Sequence, residues 1–114
     1  MSLPKLVRDN IPAIIDASGC ECEIEHVSGE EYLKALDVKL DEEVAEYHES
    51  HSLEEMADIM EVLFAIAEAR GYTIINLHDR RWDKWFNRGG FKDGVILKSI
   101  RVPIGGEGKT RWDV

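Results

Sequence analysis

Apolar residues recur every three or four positions through the middle of the chain, and Leu33, Leu36, Leu40, Val44 and Tyr47 form one continuous stripe. That spacing places them on one buried face of a helix, predicted from about Gly29 to Ser50. Ser52 is placed to cap a second long helix, with Glu55 three residues on as its capping-box partner, and Gly71 closes it. A further helix spans about Thr73 to Arg88 and stops at Gly89-Gly90-Phe91, because glycine ends helices at low steric cost. Ahead of these, "DNIPAIIDASG" reads as a short helix, with Asp9 or Asn10 as cap, Pro12 in the first turn and Gly19 at the end.

Two other stretches alternate instead. Cys20, Cys22, Ile24 and His26 interleave with Glu21, Glu23 and Glu25, and "GVILKSIRV" (Gly94 to Val102) alternates again. A period of two predicts a short β-strand in each, and the two could pair. The expected fold is mainly all-α: a four-helix bundle with two short β-strands, over residues 1–100, followed by a Gly-rich C-terminal tail at 101–114. That tail reads as a loose end or an oligomer contact.

Composition narrows the class. With 114 residues the chain is one modest domain, and its net charge of −9 argues against a nucleic-acid polymer or an anionic membrane as the main ligand. No apolar run is long enough for a membrane span, and the first residues lack the apolar core of a signal peptide, so the expected location is the cytoplasm. Cys20 and Cys22 are one residue apart, poorly placed to bond to each other. With His26 they would offer zinc only three ligands. They read as reduced thiols.

The acid excess is concentrated. Between Asp41 and Glu61 stand nine carboxylates, and like charges three or four apart on a helix repel. At about 100° per residue, Glu55 falls between Val62 and Ile66 on the second long helix, with Asp58 nearby. Glu43 falls at the margin of the Leu36–Tyr47 stripe, with Glu46 one turn on. An antiparallel hairpin would therefore set Glu43 and Glu46 against Glu55 and Asp58. Oxygen ligands in this number suit Mg2+ or Mn2+. The alternative is a solvated acidic face, which is the reading for Glu49, Glu54 and Glu68. A di-iron bundle needs two helical Glu-x-x-His pairs, and the only such spacing, Glu23 to His26, lies in a strand-like stretch.

"EEVAE" (Glu42 to Glu46) followed by "EMAD" (Glu55 to Asp58) resembles the signature of the all-α nucleoside triphosphate pyrophosphohydrolases, the MazG and phosphoribosyl-ATP pyrophosphohydrolase group. "KLVRDNIP" (Lys5 to Pro12) and "NRGGF" (Asn87 to Phe91) resemble its small single-domain branch, and the likeness covers residues 4–98. The resemblance implies hydrolysis of the α–β phosphoanhydride of a nucleoside triphosphate to a monophosphate and pyrophosphate, in a role clearing non-standard or excess nucleotides. It implies Mg2+ on Glu43, Glu46, Glu55 and Asp58, catalytic roles for Glu42 and Glu43, with Glu42 orienting or deprotonating the attacking water, and assembly as a homodimer or homotetramer. The chain departs from the pattern in its short "YHESHSL" connection, in Asn10 where a basic residue is expected, and in its tail.

A triphosphate also needs positive charge. Arg81, Lys84 and Arg88 share one face of the last helix, and Lys5 and Arg8 stand in the N-terminal motif. These five are the candidate phosphate contacts, although basic residues near a helix C-terminus also complement its dipole. Trp82, Trp85 and Phe86 read as core, subunit interface or base-stacking surface. "PIGGEGKT" (Pro103 to Thr110) imitates a phosphate-binding loop, but Pro103 replaces its first glycine and no room is left for the helix such a loop requires. Two other functions fit the same residues: phosphoribosyl-ATP pyrophosphohydrolysis in histidine synthesis, or a non-catalytic acidic helical module that binds a metal or a protein.

Overall fold

A computed structural model describes residues 3–103. Four helices follow one another: α1 (Ile11–Ala17), α2 (Gly29–Ser50), α3 (Leu53–Ala69) and α4 (Ile74–Arg88). Packing between them consists of α2 against α3 and α3 against α4. The α-helical expectation holds, with the long helices within a few residues of their predicted bounds.

The ends of the helices explain themselves residue by residue. Ser52 Oγ accepts from Glu55 N at 3.3 Å and starts α3. The reciprocal half of the predicted capping box is not made, because Ser52 N donates instead to Ser50 Oγ at 3.2 Å. That leaves the Glu55 carboxylate for other work. A complete box forms at α4, where Thr73 and Asn76 exchange side-chain and backbone bonds. Asn10 precedes α1 without a side-chain cap, while Pro12 occupies the first turn as expected.

Between α2 and α3 only His51 and Ser52 intervene. His51 turns the chain in the left-handed region, at φ 53°, and its N–H closes α2 on the Tyr47 carbonyl at 2.7 Å. Histidine tolerates that conformation better than a β-branched residue does, and here the Tyr47 ring meets it edge-on at 5.4 Å.

Among the described residues there is no β-strand. Both alternating stretches, 20–28 and 94–102, run without regular structure and are almost wholly exposed. Alternation fits a residue to one side of a sheet, but a strand exists only when a second strand accepts its backbone hydrogen bonds. Among the described residues no ladder forms between the two segments. Most of the tail (104–114), including nearly all of the phosphate-loop imitation, lies outside the described residues.

The protomer is long, 71 × 31 × 23 Å, with a radius of gyration of 19.9 Å, whereas a compact chain of this size has about 13 Å. Among the described residues the buried apolar side chains are Leu36, Val62 and Ala67, on facing helices α2 and α3. Leu33, Leu40, Val44 and Tyr47 are half-buried around them. Much apolar surface remains uncovered on α3 and α4, including Met56, Met60, Leu63, Trp82, Trp85 and Phe86. No helix is long and apolar enough to cross a membrane among the described residues.

Candidate metal centre

Lys39, Glu42, Glu43 and Glu46 occupy positions i, i+3, i+4 and i+7 of α2, so they share one face. Glu55 and Asp58 stand one turn apart at the start of α3. The tight His51-Ser52 connection folds the second set back onto the first. Oxygens of Glu42, Glu43 and Glu46 lie within 4.8 Å of one another, as do oxygens of Glu43, Glu55 and Asp58. Glu43 belongs to both groups and joins them.

Lysine and arginine provide counter-charge at this cluster. Lys39 Nζ lies 3.2 Å from Glu42 Oε1 and 3.1 Å from Glu43 Oε1. Lys5 Nζ donates to the same Glu42 oxygen at 2.9 Å, and Arg8 Nη2 donates to Asp58 Oδ1 at 2.7 Å. Two of these cations come from the chain preceding α1, so residues 5–8 lie across the cluster and touch both α2 and α3.

The neutralisation is incomplete where burial is deepest. Glu43 is only 5% exposed, yet its Oε2 accepts no hydrogen bond, and the buried Oε2 of Glu55 accepts none either. A buried carboxylate oxygen without a partner is costly. A hard divalent cation shared by Glu43, Glu55 and Asp58, with Glu46 beside them, would satisfy both oxygens, and all-oxygen coordination is what Mg2+ and Mn2+ take. The residues present fit such an ion.

Environment drives two of the carboxyls apart. Burial raises the Glu55 pKa first, and the Glu46 charge adds to it; the adjacent Glu43 and Glu46 carboxyls favour its neutral form, and the result is about 7. Burial also acts upward on Glu42, but the hydrogen bonds and charges of Lys5 and Lys39 outweigh it and hold this carboxyl below its usual range. Lys39 is pulled down by burial and held up more strongly by Glu43 and Glu42. Glu42 is thus a fixed anion, while Glu55 exchanges its proton near neutrality.

The remaining sequence-predicted residues divide cleanly. Lys5 and Arg8 join the cluster, bound to carboxylates. Arg81, Lys84 and Arg88 stand on α4, which packs on α3 and not on α2. Lys84 and Arg88 line a shallow depression of their own with Arg80, Asp83 and Asn87. Beside it, Trp82 and Trp85 stack at 5.0 Å with planes 12° apart. Glu49, Glu54 and Glu68 are exposed, and Cys20 and Cys22 are free and exposed. Lys39 was not anticipated, although its place three and four residues before Glu42 and Glu43 carries the signal.

An uncharacterized protein of Mycolicibacterium smegmatis is 57% identical to this chain over 44 residues, a stretch that spans 39% of the chain and 45% of the relative's length. No protein-family profile matches the chain, and no solved structure matches it. These comparisons name no activity.

Proposed function

We propose that this chain is a Mg2+-dependent nucleoside triphosphate pyrophosphohydrolase, cleaving the α–β phosphoanhydride to a nucleoside monophosphate and pyrophosphate. The observation that carries the metal reading is the pair of buried, unbonded oxygens on Glu43 and Glu55 inside a carboxylate cluster contributed by two helices. The reaction type rests on the resemblance of "EEVAE", "EMAD", "KLVRDNIP" and "NRGGF" to the MazG and phosphoribosyl-ATP pyrophosphohydrolase group.

Glu43, Glu46, Glu55 and Asp58 would hold the ion. When bound, Mg2+ supplies neutralisation of phosphate charge and polarisation of the phosphorus under attack. Glu42, kept ionised by Lys5 and Lys39, is suited to orienting a water by accepting its hydrogen bond, and its lowered pKa makes it a weak base. Lys5 and Arg8 stand within the cluster's edge, where substrate phosphates would lie. Arg81, Lys84 and Arg88 would serve the same purpose from α4 of a neighbouring copy. A homodimer or homotetramer is supported by the elongated protomer and its uncovered apolar surface on α3 and α4.

A second reading, a non-catalytic acidic module, draws support from the ion pairs that already offset Glu42, Glu43 and Asp58. One assay separates them: pyrophosphate release from canonical and modified nucleoside triphosphates and from phosphoribosyl-ATP, with Mg2+ or with chelator. The proposed enzyme releases pyrophosphate from one of these classes only with Mg2+, and Glu55→Gln abolishes release while the helical signal is retained. Release from phosphoribosyl-ATP alone would assign the chain to histidine synthesis. Silence across the panel, with Mg2+ still bound, would leave the acidic module.

A further inference from the structure

We propose that Arg8 and a divalent cation are alternative neutralisers of Asp58, so that loading the metal releases the Arg8 guanidinium from the cluster. This rests on the metal reading above and assigns a residue outside the ligand set to the control of that site.

The carboxylates that most need a cation are those with unbonded oxygens. Both such buried oxygens belong to the Glu43, Glu55 and Asp58 group. An ion that satisfies them takes Asp58 as its third ligand, and Asp58 is the member that Arg8 holds, at 2.7 Å. Arg8 lies on Asp58 Oδ1, and a divalent ion ligated by this carboxylate draws on the same negative charge and repels the guanidinium beside it, so each weakens the other's hold.

The two basic residues of the N-terminal segment are not equivalent in this exchange. Lys5 and Glu42 form their bridge largely shielded from solvent, with side chains 16% and 24% exposed. Glu42 belongs to the other group of carboxylates, which contains just one of the unbonded oxygens. Arg8 and Asp58 are far more open, at 54% and 36%, and exposed ion pairs are weak and easily exchanged. Lys5 therefore anchors the segment while Arg8 lets go.

Only a side chain has to move. The Arg8 carbonyl accepts from Ile11 N at 3.0 Å, which ties its backbone to the first turn of α1. The long arginine side chain can leave Asp58 without unfolding anything. A planar guanidinium so released, close to a cation, is well matched to phosphate oxygens in bidentate geometry. Within the proposed function, the group that guards the ligand becomes a group that reads the substrate.

The test is Mn2+ binding to the full chain, followed by calorimetry, for the wild type, Arg8→Gln, Arg70→Gln and Glu55→Gln. Arg8→Gln is expected to bind Mn2+ about two- to five-fold more tightly, the scale on which an exposed ion pair competes. Arg70→Gln, at an exposed position on the far end of α3, removes the same charge without touching the cluster and should leave affinity unchanged. In the wild type, Mg2+ should also speed solvent exchange of the Arg8 guanidinium protons seen by nitrogen-15 NMR. Unchanged or weaker binding in Arg8→Gln, an equal gain in Arg70→Gln, or unaltered guanidinium exchange overturns the inference. If wild type still binds Mn2+ and Glu55→Gln does not, the metal reading survives that failure. A wild type that binds no Mn2+ overturns both.

Discussion

The α2–α3 hairpin and the segment from Gly89 to Pro103 are both rich in apolar residues, and they end in opposite states. In the hairpin, Leu36, Val62 and Ala67 are buried and Glu43 with them. In the later segment, Phe91, Val95 and Ile96 are more than four-fifths exposed. A helix satisfies its backbone within itself, so two helices need only bring matching faces together. A strand must borrow a neighbour's carbonyls and amides, and residues 94–102 find no such neighbour among the described residues. Hydrophobic content alone does not decide burial; the backbone's hydrogen-bond partners do.

The largest break in this contrast is expected inside the hairpin. Lys39→Ala removes the cation that Glu43 meets at 3.1 Å and leaves a nearly buried carboxylate unpaired. Loss of one partner from a buried pair costs about 3–5 kcal/mol, which urea denaturation at neutral pH would read directly. A cost under about 1 kcal/mol would place the pair with ordinary surface bridges.

A smaller and pH-dependent effect belongs to Glu55. Its carboxyl rises from an ordinary 4.5 to about 7 in the folded protein, so folding favours the protonated form. The associated stability is fully present below the ordinary carboxylate range and is lost as pH rises through about 7. Glu42, lowered rather than raised, works the other way: its contribution is present above the ordinary range and lost as pH falls below it. With chelator present, urea midpoints of wild type should fall relative to Glu55→Gln between about pH 5 and 8, an interval chosen to bracket that titration. Parallel curves would mean that Glu55 ionises normally. Protons and metal also compete for the same oxygens, so Mn2+ affinity should rise over the same interval.

The smallest effect is expected in the exposed segment. Phe91 is 98% exposed, and Phe91→Ala should change the protomer's unfolding free energy by less than about 0.5 kcal/mol, as for other surface positions. A loss that grows with protein concentration would instead show that another copy covers this segment.

How much of this was legible in the chain obeys the same division. The helices were legible because their signals are local: Ser52 and Thr73 cap where they stand, and the Leu36 stripe repeats within each turn. The intrusion of Glu43 and Glu55 into apolar surroundings was legible from angular position alone. The signal for Lys39 was equally local, since a single turn separates it from Glu42 and Glu43. The contacts of Lys5 with Glu42 and Arg8 with Asp58 cross 37 and 50 residues, and no periodicity encodes which basic residue meets which acid over that distance. The two predicted strands failed for the related reason that alternation describes one strand and pairing needs two.

The connection at His51 and Ser52 makes residue count part of the site. Each residue inserted into a helix rotates the remainder of that helix by about 100° and advances it about 1.5 Å. One added residue between Glu46 and Glu55, accommodated by winding α3 on from α2's frame, would aim a different side chain at Glu43. Substitutions at His48 or Glu49, both exposed, leave that alignment intact. A length change within the same stretch does not, and an insertion or deletion there is equivalent to removing a ligand while every ligand is still encoded.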